Sequence, residues 1–388
     1  MNLHHTHLLI LGGGELGREL AISATRMGLQ VSVAARYAGA PATQVTPRAY
    51  ILEMLDTDAL THLIQTIQPN LIMTEIEAIS MDAIRIAEQQ HINVIPSASA
   101  IATCMHRETL RMLAKKLNIP TSACTFASTE DELIDIAKNA QKDLYIKPLQ
   151  SSSGHGQTRL TCGATSEQAR QAWQAAMLQA RAKHGQRVIV EEHVDILQEI
   201  TLLCAATPDT IFFCDPIGHT QEDGDYRLSW QPCEEISHTQ LKQMHDIART
   251  IIRELGGSGL FGAEFFITQS HEVLFSEISP RPHDTGMVTL ITQDLNEFDL
   301  HILTALNALH STPTLLTPGA SAALISDAHS ENPEYKINSN TYKNTQIHIF
   351  QKPVAHPGRR MGVALAHAKD TKSALHLVKC AQQEFDVS

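Results

Sequence analysis

Apolar and polar positions along the first hundred residues follow a strand, helix, strand rhythm. His7 to Gly14 is a short apolar run ending in glycines, Glu15 to Met27 carries apolar residues at helical spacing, Gly28 offers a stop, and Gln30 to Ala35 returns to a strand-like run. The alternation continues with a helix over 56–67, a strand over 70–74, a helix over 81–90 and a strand over 92–96. Strands separated by helices favour parallel pairing with helices on both faces, so residues 1–105 are expected to form a small doubly wound α/β domain.

The rhythm changes after that. Residues 107–117 read as a helix closed by Ile119-Pro120-Thr121, and strand-like pieces at 144–147 and 187–191 then mix with helices in an α+β pattern. Thr314 to Gly319 contains Pro and Gly and reads as a linker. Beyond it, 346–351 and 361–366 read as strands, and 371–383 as a helix with Asp370 at its N-cap. The expected division is therefore 1–105, 106–315 and a smaller 316–388, in keeping with a length of 388 residues, more than one core usually spans.

Composition narrows the function. A net charge of −12 disfavours broad contact with nucleic acid, and no apolar run is long enough to span a bilayer, so neither partner is expected. The first residues lack a basic segment and a small-residue cleavage site, which predicts a cytoplasmic location. Seven scattered cysteines without a CxxC pair read as buried free thiols, and the 21 histidines show no HExxH spacing.

Three places carry candidate chemistry. Gly12, Gly14 and Gly17 fit G-x-G-x-x-G between a strand and a helix, where glycine permits close backbone approach to a ligand. NAD also requires an acidic residue at the end of the second strand, where this chain has Ala34-Ala35-Arg36; Arg36 leaves NADP open, as does a plain tight turn. Second, Ser151 to Gln157 is a loop of hydroxyls and glycines immediately after the strand ending in Lys147-Pro148. It reads either as a phosphate cradle charged by Lys147 or as a surface loop, and it is not a Walker loop.

Third, 259–268 and 272–279 read as a hairpin turning at Gln269 to Glu272. With the turn centred between Ser270 and His271, Glu264 and Glu277 face one another. Like charges so placed repel, and a Mg²⁺ that also binds triphosphate would offset the repulsion. The alternative is a slipped register with Arg281 paired to one glutamate.

The stretches Gly14-Glu15-Leu16-Gly17, Thr74-Glu75-Ile76-Glu77-Ala78, Ser151 to Gln157, Gln221 to Tyr226 and Ser276 to Met287 closely resemble the formate-dependent phosphoribosylglycinamide formyltransferases, ATP-grasp enzymes of purine synthesis. The resemblance runs nearly end to end. It implies a three-domain ATP-grasp architecture, a homodimer, and a reaction in which ATP and formate give formyl phosphate, which the amine of glycinamide ribonucleotide attacks. It implies ATP contacts at Arg107, Lys147, Ser152, Ser153, Gly154, His155, Gly156, Gln157, Glu191, Glu192, His193, Val194 and Glu199, with Glu264 and Glu277 on Mg²⁺. It further implies ribonucleotide contacts at Glu15, Leu16, Glu75, Asp284, Lys352, Arg359 and Arg360. Lys147, Arg107 and Asp284 are the expected catalytic residues.

Two positions depart from the family pattern: His155 stands where lysine is usual, and Ala35 where aspartate is usual. An imidazole loses its charge across the range in which lysine keeps it, so the nucleotide KM is expected to rise with pH. The rival readings are an ATP-grasp ligase or carboxylase using another acid or amine, an NADP oxidoreductase resting on the glycine turn, and an inactive nucleotide-binding regulator.

Overall fold

The computed structural model describes residues 5–151, 154–180, 187–222, 224–336 and 343–388. Its first unit is a parallel five-stranded sheet in the spatial order Ala49–Ile51, Gln30–Ala35, His7–Leu11, Leu71–Thr74, Asn93–Ile95. Leu8, Leu9, Ile10 and Leu11 are all fully buried, because helices cover both faces of the sheet. Leu8 and Ile10 pack among Leu16 and Leu20 of the helix Glu15–Arg26, and Leu9 and Leu11 among Leu60 and Ile84 of the helices Thr57–Ile67 and Met81–Gln89. The chain reverses direction across the sheet between His7–Leu11 and Leu71–Thr74. That switch point is where ligands bind in open α/β sheets, and Gly12 and Glu75 lie on its two sides.

The second unit is an antiparallel sheet in the order Cys124–Ala127, Val188–Glu192, Leu144–Pro148, Thr158–Leu160. Leu144, Ile146, Val188 and Val190 pack on the helices Glu130–Asn139 and Ser166–Gln179. Strand alternation therefore sends Tyr145, Lys147 and Glu191 to the opposite face.

The remaining large sheet runs Val273–Ser279, Gly259–Thr268, Ile196–Ala206, Ile217–Glu222, Asp225–Gln231, Gly319–Ile325, Arg360–His367, Thr345–Ile349. Here the structure adds something the sequence pattern does not show. Most of the strand structure after the Thr314 to Gly319 linker joins the large sheet, in which Gly319–Ile325 pairs directly with Asp225–Gln231, while the short strands Tyr335–Lys336 and Asp386–Val387 pair with each other. One core cluster joins all three stretches, with Leu8 and Ile10 packed among Met287, Phe298, Phe350 and Val363. This shared core brings the C-terminal basic residues to the glycine turn.

Candidate active site

The small sheet and the large sheet are joined through Glu191 to Val194, which link the strand Val188–Glu192 to the strand Ile196–Ala206. Glu191 is 4% exposed and anchors two cations: Lys147 Nζ lies 2.7 Å from Oε2, and Arg111 Nη2 lies 2.7 Å from Oε1. Burial alone would raise its carboxyl, but Lys147 and Arg111 outweigh burial and hold it at about 2. Arg107 donates to the carbonyl of Pro148 at 2.8 Å and to Ser151 Oγ at 3.0 Å, which fixes the entry to the serine and glycine loop. Within that loop Gly156 has φ +76°, and a Cβ there would lie 2.8 Å from Gln179 Cβ, so the turn requires glycine. Gly154, His155 and Gln157 belong to the same turn, whereas Ser152 and Ser153 lie outside the described residues.

Facing Lys147 is the acid pair. Glu264 and Glu277 are direct cross-strand partners, and the register reached them by a route the sequence did not reveal. Phe265 faces Phe275 and Ile267 faces Val273, so the turn centre sits half a residue from where the sequence placed it. Ser276 then bulges out as an extra residue and restores the opposition of the glutamates. The carbonyl of this bulged residue accepts a hydrogen bond from Arg111. Glu264 is bonded to His283 Nε2 at 2.7 Å; burial would raise its carboxyl, but this bond and the imidazole charge hold it at about 2. Glu277 opens into the cleft, yet the surrounding protein and the Glu264 charge push its carboxyl upward. Burial and Glu264 also raise Glu199 to about 7. Glu199 borders a cavity of about 620 Å³ with His219, Gln221 and Trp230.

The second half of the site forms around the glycine turn. Gly12 has φ +137°, and a Cβ there would lie 2.1 Å from Glu75 Oε2, so the space above the turn is filled by a carboxylate. A pyrophosphate approaching these glycines would meet that anion, which removes the dinucleotide reading. Arg36 is exposed, outside this crowded turn. Burial and the neighbouring Glu15 raise Glu75 to about 7, and its Oε2 has no hydrogen-bond partner among the described residues. Glu15 receives Lys352 at 3.0 Å and Arg360 at 2.9 Å; these two cations overcome burial and set it at about 2. Arg360 also binds Asp284 at 2.8 Å. Arg359 donates to the Val354 carbonyl at 2.7 Å and to the Tyr37 hydroxyl at 3.3 Å. Leu16 is in the core, so only its main chain can face the pocket.

Two clusters thus gather the expected residues. Around the first, Glu192 and His193 lie on the outer side of the hinge, with Glu192 paired to Lys142 at 3.1 Å and the His193 amide bonded to the Asp143 carbonyl. Arg281 pairs with Glu77 at 3.3 Å and not with either acid of the hairpin. Sequence reasoning missed Arg111, one helical turn beyond Arg107, and His283 and Tyr37 as members of the site. His283 stood inside a quoted stretch, the helical spacing of Arg107 and Arg111 was the available signal for Arg111, and Tyr37 carried no local signal.

A doubly wound entry unit, a small antiparallel sheet hinged to a larger one, and a lysine facing paired carboxylates across the cleft define an ATP-grasp ligase fold. Family models agree: residues 6–105 match the ribonucleotide synthetase preATP-grasp domain, 112–298 the ATP-grasp domain, and 319–385 the PurT C-terminal model. The chain is 43% identical over 95% of its length, and 94% of the relative's, to the formate-dependent phosphoribosylglycinamide formyltransferase of Photobacterium profundum. It is 44% identical over 96% of its length, and 95% of the relative's, to the enzyme of that name from Methanocaldococcus jannaschii. This chain belongs to the formate-dependent phosphoribosylglycinamide formyltransferase family. A solved carboxyaminoimidazole ribonucleotide synthase from Aspergillus clavatus, complexed with ATP, matches with TM-score 0.87 over 98% of each chain; at 22% identity it is similar in fold alone.

Proposed function

We propose that this chain uses ATP to activate formate as formyl phosphate and transfers the formyl group to the amine of glycinamide ribonucleotide, releasing ADP and phosphate. One observation carries the reading. The consecutive residues His283 and Asp284 belong to both halves of the site: His283 binds Glu264 on the nucleotide side, and Asp284 binds Arg360 on the ribonucleotide side. A γ-phosphate held near Glu264 and an amine held near Asp284 would then meet across consecutive residues of one loop, which supports capture of an acyl phosphate before water reaches it.

In this reading Lys147 and Arg107 hold the phosphates, the turn from Gly154 to Gln157 closes over them, and the hinge and Glu199 receive the nucleoside. Formate attacks the γ-phosphorus through a carboxylate oxygen, and ADP leaves. The amine then attacks the formyl carbon, phosphate departs, and the nitrogen loses a proton. Glu75 Oε2, without a hydrogen-bond partner among the described residues and with its carboxyl raised to about 7, supports a role as acceptor for that amine. Lys352, Arg359 and Arg360 supply the cations for the 5′-phosphate, with Glu15 keeping two of them aligned.

The opposed carboxylates fit Mg²⁺: they are hard oxygen donors, and the Glu264 charge still helps push the Glu277 carboxyl upward although His283 is bonded to Glu264 and Arg107 and Lys147 are near. An ion held there would take its other ligands from phosphate oxygens and water. When bound, the ion would neutralise charge on the β- and γ-phosphates. The homodimer and the cytoplasmic location belong to the same proposal, and no helix among the described residues is long and apolar enough to cross a membrane.

Formate-dependent ADP release in the presence of glycinamide ribonucleotide tests the reading. Turnover with bicarbonate and none with formate would overturn it in favour of a carboxylase. Light scattering that reports a monomer would overturn the dimer.

A further inference from the structure

The strand Asp225–Gln231 contains an irregularity that the site as described leaves unexplained. Thr220 faces Leu228 while Gln221 faces Tyr226, so Arg227 is an extra residue that breaks the alternation of the strand. Leu228 and Trp230 pack toward the helix Thr371–Gln383. A regular strand would send Tyr226 the same way. The bulge instead re-aims Tyr226 onto the face that carries Ser229, toward Asp284 and Arg360.

Tyr226 is 6% exposed, and its ring centroid lies 5.7 Å from the Arg360 guanidinium carbon. Its hydroxyl is bonded to Ser321 Oγ. Ser321 and Ser229 are direct strand partners with their hydroxyls 2.7 Å apart, and Ser229 donates to the Thr285 carbonyl at 2.8 Å. Each hydroxyl has one proton, so the terminal carbonyl sets the direction of the whole chain: Tyr226 donates to Ser321, Ser321 to Ser229, and Ser229 to Thr285. Both serines are fully buried, where an unsatisfied hydroxyl would be costly, so the network holds one arrangement. The circuit closes through the site. Arg360 rests on the ring and binds Asp284, and the carbonyl of Thr285, the residue after Asp284, is held by the far end of the hydroxyl chain.

We propose that Tyr226 is a positioning residue for the ribonucleotide pocket, supporting Arg360 with its ring and orienting Asp284 through Ser321 and Ser229. The inference rests on Arg360 and Asp284 being ribonucleotide ligands. A tyrosine serving only to fill the core would need neither the bulge nor a hydroxyl chain ending on the site loop. Ring and hydroxyl have separable effects: Tyr226→Phe keeps the support under Arg360 and removes the chain's first donor, whereas Tyr226→Leu removes both.

The test measures ribonucleotide affinity by calorimetry, and KM for ribonucleotide and for ATP by initial rates, in wild type, Tyr226→Phe, Tyr226→Leu and Ser229→Ala. Tyr226→Leu is expected to weaken ribonucleotide binding by about tenfold, the scale of a buried cation–π contact, with ATP KM within about twofold of wild type. Tyr226→Phe, which removes one internal hydrogen bond, should weaken it by about threefold, and Ser229→Ala, which removes two, by at least as much. If Tyr226→Leu does not fold, the other two variants decide. Unchanged ribonucleotide affinity in the variants, or equal increases in both KM values, overturns the inference. Failure of wild type to bind glycinamide ribonucleotide overturns the functional reading and this inference together.

Discussion

Replacing Glu191 with glutamine removes the anion shared by Lys147 and Arg111 while keeping the shape of the side chain. The carboxyl lies at about 2 in the folded protein against 4.5 for the unperturbed group, a difference worth about 3 kcal/mol at neutral pH. Breaking a buried ion pair by removing one partner costs about 3–5 kcal/mol, so the two routes agree at the lower end. For 388 residues, whose unfolding entropy is on the order of 0.8 kcal/mol/K, that loss lowers Tm by about 4 °C. The pH dependence has a fixed sign. Because the folded pKa lies below the unfolded one, the stabilisation is complete above about pH 4.5 and is lost as pH falls toward 2. Scanning calorimetry of wild type and Glu191→Gln at several pH values should show the full gap at neutral pH and a shrinking gap below about pH 4.5. A Tm change under about 1 °C at neutral pH, or a gap that widens on acidification, would refute the assignment of Glu191 as the charged anchor.

Glu264→Gln and Glu277→Gln should each lower kcat at least about 100-fold with little loss of fold, and EDTA should abolish wild-type turnover reversibly; ADP release measures both, and substantial activity in either variant removes that glutamate from the metal site. His155→Lys should lower the ATP KM by about threefold, and an unchanged KM would show that the side chain at this position does not reach phosphate. Glu75 is held near 7, above its unfolded value of 4.5, so the unfolded state releases its proton first and wild-type stability falls between about pH 4.5 and 7. Glu75→Gln escapes that loss: its Tm should exceed wild type at about pH 8 and match it at about pH 4, while ribonucleotide affinity drops. Equal Tm values at the higher pH would contradict the raised carboxyl.

Local pattern determined a good deal. The buried apolar run Leu8 to Leu11, the caps at Asp56 and Asp370, and the helix Thr371–Gln383 follow from residue order because short-range sterics and capping act within a few positions. The opposition of Glu264 and Glu277 was also legible, though an assumed turn centre and an unseen bulge at Ser276 compensated for each other. Leu202 to Ala206 shows no alternation, since Leu202 and Cys204 face one core and Leu203 and Ala205 another, and a strand buried on both faces has no period to read.

What the chain alone could not determine is which distant residues meet. Glu15 and Lys352 are 337 positions apart, and nothing in either neighbourhood specifies the other. They meet because Gly319–Ile325 extends the central sheet and a single core draws Phe350 and Val363 against Leu8 and Ile10. The N-terminal glycines then acquire a meaning that their spacing did not carry. Their bare backbone makes room for Glu75, and burial beside Glu15 raises that carboxyl to about 7. Sequence supplied the residue types and the local elements, whereas the long-range packing of the apolar faces assembled them into one site.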